Sequence, residues 1–201
     1  MRKTIAALAL IASTVTASAG MGILSSDKTS NEWYSICIGN TATKVFSHCS
    51  SVTRFVAKNQ EGANRMRARE MTMGLHIYDP SASKLRLTLG STDWKFPNGF
   101  TVDLNIMVKD GSYKIKGCKF MTNASNFACD FSSDPSLSFI NDWATKNVIG
   151  FAFVAKDGTF DIGWFSLKGS MESLGKTMQG VNEHWRSPRN PFSTPGPKID
   201  G

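Results

Sequence analysis

Four cysteines, grouped in two pairs of almost equal spacing, constrain the fold of this chain more than any other feature. Cys37 and Cys49 are 12 positions apart, Cys118 and Cys129 are 11 apart, and the chain has no other cysteine. Such pairs can be disulfides, a metal site or a redox couple. Zinc sites usually contain close pairs such as C-x2-C, and redox couples usually show C-x-x-C, but both cysteine gaps here are longer. The compartment in which the protein folds therefore becomes the deciding question.

The first residues have the three regions of a secretory signal peptide in the right order. Arg2 and Lys3 give a positive start, residues 5–15 form a short apolar run, and residues 17–19 (Ala-Ser-Ala) are a small-residue cleavage site. The apolar run is shorter than the roughly 20 residues needed to span a bilayer. We therefore expect residues 1–19 to be removed as a signal peptide. The mature protein is expected to be periplasmic or secreted, without a transmembrane segment.

Export favours disulfides, because an even number of cysteines in an exported chain usually forms them. Four cysteines allow three connectivities, and the sequence does not choose among them. We favour the local pairs Cys37–Cys49 and Cys118–Cys129, since each spacing suits two neighbouring antiparallel strands. A closed loop of that length stabilises the folded state by about 3 kcal/mol in the chain-entropy model.

Period-two alternation dominates the remaining sequence and predicts a mainly β protein. In "KLRLTL" the three leucines share one side, and in "FTVDLNIMV" five apolar residues do so. Asp110-Gly111 and Asp157-Gly158 each lie between strand-like runs, which predicts two hairpin tips with type I′ turns. Together with the runs at 32–38, 45–57 and 71–78, these segments give about eight strands. We expect an antiparallel β-sandwich or barrel-like body with one or two short helices.

Two helices are predicted in the last third of the chain. Asp134 can cap the first, with Pro135 at its first position. Its apolar face would be Leu137, Ile140, Trp143 and Ala144. The second begins at Ser170, and Gly175 and Gly180 each weaken it by up to about 1 kcal/mol relative to alanine. Its apolar stripe would be Met171, Leu174, Met178, Val181 and Trp185.

The length and charge of the chain fit one moderately basic domain. Residues 20–187 are expected to form a single disulfide-stapled β domain, and residues 188–201 a flexible proline-rich tail. The formal net charge is +7, and removing Arg2 and Lys3 leaves +5. That balance suits anionic partners such as phospholipid headgroups or acidic polysaccharide, and it equally suits simple solubility.

The sequence contains no recognisable catalytic motif. G-x-S-x-G, H-E-x-x-H and a phosphate-binding glycine loop are all absent. His48, His76 and His184 are scattered, and turn chemistry accounts for Asp157 in the acidic pair with Asp161. We therefore expect no catalytic residues, no metal, no cofactor and no nucleic-acid partner. Exposed aromatic residues cannot be distinguished from core aromatic residues at this level.

One charged cluster is a candidate contact site. If "NRMRARE" is extended, Arg65, Arg67 and Arg69 share one face and could contact phosphate or sulfate groups on an anionic surface. The alternative is a solvated loop, or an edge strand that its charges protect from pairing with other chains.

Five segments follow one another in an order that resembles the invasion-associated locus B family of small exported bacterial proteins. They are "WYSIC" with a second cysteine soon after, "KLRLTL", "FPNGFTVDL", "GCKFMTNASNFAC" and "WFSLKGSMESL", between about Trp33 and Met178. The wider spacing of the second cysteine pair and the proline-rich tail depart from that family. The resemblance implies an exported, disulfide-stapled β protein, linked in some members to host-cell interaction, with no catalytic residues to carry over.

These observations lead to two functional expectations. The first is a non-enzymatic binding or envelope protein whose partner is an envelope or host-cell surface component, with its oligomeric state left open. The second is an exported hydrolase whose active site is assembled across distant loops. A cleft that holds two titratable groups with perturbed pKa values would favour the hydrolase.

Overall fold

A computed structural model describes residues 20–29, 32–61, 65–131, 136–155, 158 and 160–186. Ten strands lie in these ranges: β1 (Met21–Lys28), β2 (Trp33–Asn40), β3 (Phe46–Glu61), β4 (Arg65–Ile77), β5 (Leu85–Ser91), β6 (Thr101–Val108), β7 (Gly111–Met121), β8 (Asn126–Asp130), β9 (Val148–Val154) and β10 (Phe160–Ser166). The same ranges contain two α-helices, α1 (Ser136–Thr145) and α2 (Ser170–Trp185), and a 3-10 turn (Thr122–Ala124).

The ten strands form one antiparallel sheet. Their order is β1-β2-β3-β4-β5-β8-β7-β6-β9-β10, and β10 also contacts β3. The mainly β, antiparallel fold class expected from the alternation is therefore confirmed. β1 was not among the expected strands, and β8 was expected only from the spacing of Cys118 and Cys129. Neither helix in the described ranges is long and apolar enough to cross a membrane.

The main core lies on the sheet face that the two helices cover. The alternating leucines of β5 and the apolar positions of β6 are buried there, as the period-two pattern predicts. Phe120, Phe127 and Phe153 meet edge to face beside them, with ring centroids 5.1 to 5.2 Å apart. A second, smaller apolar cluster lies on β2 and β3 and contains Tyr34, Ile36, Ile38 and Val52.

Both disulfides join neighbouring antiparallel strands. Cys37 of β2 is directly opposite Cys49 of β3, and the two are bonded. Cys118 of β7 is bonded to Cys129 of β8. This is the local pairing that the spacing favours.

Helix α2 spans the expected residues, and most of the predicted stripe is confirmed, since Leu174 and Val181 are buried and Met178 and Trp185 pack against the core. Met171 is exposed, whereas Ser173, Thr177 and Gly180 are buried against β2 and β3. A Cβ on Gly180 would lie 2.5 Å from the Sγ of Cys37, so the glycine lets the helix approach the disulfide. The small residues are buried in addition to the stripe because the helix lies close to β2 and β3, and their hydroxyls hydrogen-bond across the contact. The Oγ of Ser51 donates to that of Ser173 over 2.9 Å.

Two further expectations need adjustment. The β6–β7 hairpin exists, but its two-residue loop is Lys109-Asp110, and neither residue has the positive φ of a type I′ turn. Instead, the Asp110 carboxylate accepts a hydrogen bond from Lys146 Nζ over 2.7 Å, which holds the turn from outside the hairpin. The β9–β10 loop is longer, and only its Gly158 has a positive φ among the described residues.

Some predictions concern residues beyond the described ranges. The signal peptide, residues 188–201, the cap Asp134-Pro135 and Asp157 all lie outside them. In α1, Trp143 is buried and Ile140 and Ala144 pack against the core as predicted, and Phe139 joins them.

Candidate functional site

A small polar pocket lies on the outward side of β3, β4 and β5. It has a volume of about 210 Å³. Its lining includes the hydroxyls of Thr72, Ser91 and Thr92 and the ion pair between Arg54 and Glu70, whose Nη2 and Oε2 atoms are 2.5 Å apart. Ligand pockets usually exceed roughly 300 Å³. Because Glu70 already neutralises Arg54, the pocket presents no unmatched charge to a ligand.

A histidine cluster lies further along the same side of the sheet. We use this name for His48, Ser50, His76, Tyr78, Thr88 and Arg86. The rings of His48 and His76, distant in sequence, lie 5.2 Å apart. His76 hydrogen-bonds through both nitrogens, to Ser50 Oγ over 2.7 Å and to Thr88 Oγ1 over 2.9 Å. The view of the histidines as scattered was therefore wrong for this pair, and β-strand register is what joins them: His76 is opposite Ser50.

Burial keeps both histidines neutral. It lowers the pKa of His48 to about 4, and the Arg86 guanidinium contributes to the shift. Burial also holds the pKa of His76 well below its usual value, helped by His48 and Arg86. Asp130 binds Arg86 through two hydrogen bonds of 2.7 and 3.1 Å and raises the pKa of that guanidinium.

The histidine cluster has the geometry of a structural network. Each nitrogen of His76 has a hydroxyl partner, and His76 and Ser50 are 4% and 0% exposed, so the network is enclosed by the protein. The described lining of the pocket includes neither histidine. Among the described residues, no three His, Cys, Asp or Glu side chains are grouped to hold a metal ion.

The outward side of β9 and β10 is apolar and exposed, whereas the histidine cluster is polar and buried. Five large apolar side chains are exposed there, and we call this set the apolar sheet face: Val148, Val154, Phe160, Ile162 and Trp164. Phe160 is 59% exposed and Trp164 is 53% exposed. Exposed apolar residues scattered singly are ordinary, but a contiguous group often marks an interaction site.

Strand register makes the group contiguous. Phe160 is directly opposite Val154, and Trp164 is opposite Gly150. Gly150 in turn is opposite Met107 of β6. Cross-strand partners share one face of a sheet, so these side chains are neighbours.

Three inward-facing residues hold this register in place. Asp161 accepts a hydrogen bond from the Trp94 indole nitrogen over 2.7 Å. Gly163 makes room for Phe151, since a Cβ there would lie 2.4 Å from that ring. Phe165 is buried in the core. A shift by one residue would bury Trp164 where only glycine fits, so the aromatic side chains stay outside.

Trp164 is held flat on the sheet. A Cβ on Gly150 would lie 2.6 Å from its Cζ3 atom and 3.0 Å from the Cε of Met107. The indole therefore rests over Gly150 beside Met107. It is a preorganised exposed surface, which reduces the entropy lost when a partner binds.

Lysines border the apolar sheet face on β7. We call Lys114, Lys116 and Lys119, all exposed, the lysine row. Lys114 is opposite Asn105, which is opposite Ala152 of β9, so the row continues the same side of the sheet. Its Nζ lies 3.5 Å from Asp103. In the described part of the chain, Lys116 and Lys119 have no acidic side chain within ion-pair distance.

The arginines singled out from the sequence lie on a strand. Arg65, Arg67 and Arg69 occupy alternate positions of β4, opposite Glu61, Asn59 and Ala57. The backbone is therefore extended here, which is the condition for the three arginines to share one face. Their side chains lie outside the described part of the structure, and their role as an anionic-surface contact stays a prediction.

Sequence reasoning missed the apolar sheet face. Alternation in "FDIGWFS" suggests Phe160, Ile162 and Trp164 as the inward set, and the structure reverses it. The signal available in the sequence was the other set of alternate residues, which contains Asp161 and Gly163 as well as Phe165. The burial of Asp161 and Gly163 is explained only by their partners Trp94 and Phe151, which are distant in sequence.

Fold and site together define a disulfide-linked antiparallel β protein with a preorganised apolar face. No family model matches the sequence, and no curated protein matches it. Among solved structures, it is similar to the crystal structure of invasion associated protein B from Bartonella henselae, with 13% identity and a TM-score of 0.49. The match covers 78% of this chain and 99% of that chain. Membership of the invasion-associated locus B family stays a prediction.

Proposed function

We propose that this protein is an exported, non-enzymatic binding protein of the bacterial envelope or exterior, and that the apolar sheet face is its recognition surface. The observation that carries the proposal is the exposure of Trp164 and Phe160 on strands whose inward residues prevent any other register. Exposing these side chains to water is unfavourable by roughly 25 cal/mol per Å² of apolar surface. A partner that covers them recovers that free energy.

The scaffold suits recognition. Disulfides join β2 to β3 and β7 to β8, so two separate parts of the sheet are cross-linked. β10 is fixed by the hydrogen bond from Trp94 and by the burial of Phe165. A rigid support lowers the conformational entropy lost on binding. An envelope or host-cell surface component is the class of partner that an exported protein would meet.

A hydrolase receives less support from the arrangement of polar groups. The histidines with lowered pKa values form the histidine cluster, whereas the described pocket is lined by Arg54, Glu70 and small hydroxyl residues. A hydrolytic site would need a nucleophile or water beside a free base. Ser50 and His76 are hydrogen-bonded to each other, but they are 0% and 4% exposed, so their burial does not favour access by a substrate.

The proposal is tested by capture with matched variants. Oxidised mature protein, the triple variant F160S/I162S/W164S and the control M171S are immobilised and exposed to envelope and host-cell extracts. Met171 is 63% exposed but lies on α2, away from the apolar sheet face. We expect specific components bound by the native protein and M171S, and lost with the triple variant.

Two results would contradict the proposal. One is the same set of components captured by all three proteins, which would remove the apolar sheet face from recognition. The other is turnover of an ester, glycoside or phosphoester substrate that a single substitution such as S50A or E70Q abolishes, which would show an enzyme.

A further inference from the structure

The size of the apolar sheet face limits what can cover it. The exposed fractions of its five side chains correspond to an apolar patch on the order of 500 Å². A stable protein–protein interface buries roughly 800 Å² on each partner. The patch is thus small for a dimer.

Its composition fits a lipid surface. Tryptophan and phenylalanine next to lysine are the residues that proteins place at the boundary between headgroups and acyl chains. Trp164 lies flat over Gly150 with Phe160 and Ile162 on the same strand, so all three can enter a membrane interface from one plane. Binding of this kind increases with the apolar area buried and with attraction to anionic lipid.

The lysine row supplies the charge complementarity. Strands lie about 4.8 Å apart, so Lys114 on β7 is about 14 Å from Ile162 on β10, three strands away. Both groups project from the same side of the sheet. One anionic headgroup layer could therefore contact the lysines while the side chains of β10 reach below it.

We infer that the apolar sheet face and the lysine row together dock on the interfacial region of an anionic phospholipid bilayer. The inference rests on the proposed function and names the partner of the same face. It concerns peripheral attachment, in which the folded sheet lies against the lipid headgroups and inserts only the side chains of β9 and β10.

Vesicle binding tests the inference directly. Oxidised mature protein is mixed with vesicles of phosphatidylcholine alone, and with vesicles of equal parts phosphatidylcholine and phosphatidylglycerol. Co-sedimentation and tryptophan fluorescence are measured. We expect binding to the mixed vesicles that is at least about tenfold tighter and weakens as salt is raised. We also expect an emission blue shift that W164F abolishes, because Trp33, Trp94 and Trp143 are buried and Trp185 packs on α2 against the core.

Matched variants separate the two contributions. F160S/I162S/W164S should weaken binding to mixed vesicles by more than about tenfold, and M171S should not change it. K114Q/K116Q should weaken binding about fivefold and flatten its salt dependence. K44Q/K84Q changes the net charge equally at exposed lysines outside the face, and should have little effect.

Three outcomes would overturn the inference. Absence of vesicle binding by the native protein is the first. The second is binding that the lysine variant weakens but the triple variant does not, which would indicate charge alone, as for an acidic polysaccharide. The third is concentration-dependent dimerisation in analytical ultracentrifugation that only the triple variant removes, which would assign the face to a second copy. If vesicle binding fails but a protein is captured through the apolar sheet face, the lipid inference falls and the proposed function stands.

Discussion

The histidine cluster and the apolar sheet face lie on strands of the same sheet, and they differ in which side chains are buried and which are exposed. In the first, polar groups are buried and each nitrogen of His76 has a hydroxyl partner. In the second, large apolar side chains are exposed on one side of β10. The polar and small residues on its other side fix the strand register. Side chains that already satisfy one another stabilise the fold. Large apolar side chains that are exposed to solvent are available to a partner.

The largest expected effect concerns acid and the histidine cluster. His48 has a pKa of about 4 when folded and about 6.5 when unfolded, so the unfolded chain binds more protons between these values. Stability therefore rises with pH across that window and is lost as pH falls from about 6.5 to about 4. The loss is about 3 kcal/mol for His48 alone, and His76 adds to it. Urea unfolding from pH 7 to 4 measures this change, and H48Q should show a shallower slope. A parallel slope in H48Q would show that other groups cause the acid sensitivity.

The next effect comes from removing the central histidine. H76L leaves the hydroxyls of Ser50 and Thr88 without their partner, and should destabilise the protein by about 2 to 4 kcal/mol. Denaturant midpoints measure the change. Ser112, an exposed serine of β7, gives the control S112A, which should change the free energy of unfolding by less than about 0.5 kcal/mol. A stability loss in H76L no larger than that of the control would mean that the network is not structural.

A smaller effect is expected from Asp161, a buried polar residue that is hydrogen-bonded on the inward side of β10. D161A removes the acceptor of the Trp94 N–H and should cost about 1 to 3 kcal/mol. A double-mutant cycle with W94F measures the coupling between the two side chains, which should be about 1 kcal/mol. Additive losses would show that Asp161 does not hold β10 through Trp94.

The smallest effect concerns the placement of Trp164. G150A adds a methyl group where the indole lies, and should displace the ring at a cost of about 1 kcal/mol. Iodide quenching of tryptophan fluorescence should increase, because Trp164 would move away from the sheet. G175A is the control, since Gly175 is exposed on α2 with open space around it, and it should stabilise the helix slightly. Equal quenching in G150A and native protein would place Trp164 elsewhere.

The fold could be predicted where one local pattern decided the outcome. Alternation placed the leucines of β5 and the apolar residues of β6 inside, and the cysteine spacings suited neighbouring strands. The apolar stripe of α2 predicted the burial of Leu174 and Val181, but not that of the small residues on the same side. The burial of the small residues depends on how closely the helix approaches the Cys37–Cys49 disulfide, and that distance admits only residues such as Gly180.

The candidate site was harder to predict because long-range partners define it. Asp161 and Gly163 look like outward residues until Trp94 and Phe151 are in place beside them. His48 and His76 come together only through the register of β3 with β4. Neither relation leaves a short motif in the sequence.

The central claim is that the histidine cluster stabilises the fold and the apolar sheet face binds the partner. Vesicle affinity and unfolding free energy, measured together on F160S/I162S/W164S and H76L, test it most directly. We predict that the triple variant loses more than about tenfold in affinity under conditions where it is fully folded, with a stability loss of about 1 to 3 kcal/mol, because its side chains are 39% to 59% exposed and keep part of their contacts with the sheet. H76L should lose stability and, at a temperature where it is folded, keep its affinity. Affinity that falls in proportion to stability in both variants would contradict the account.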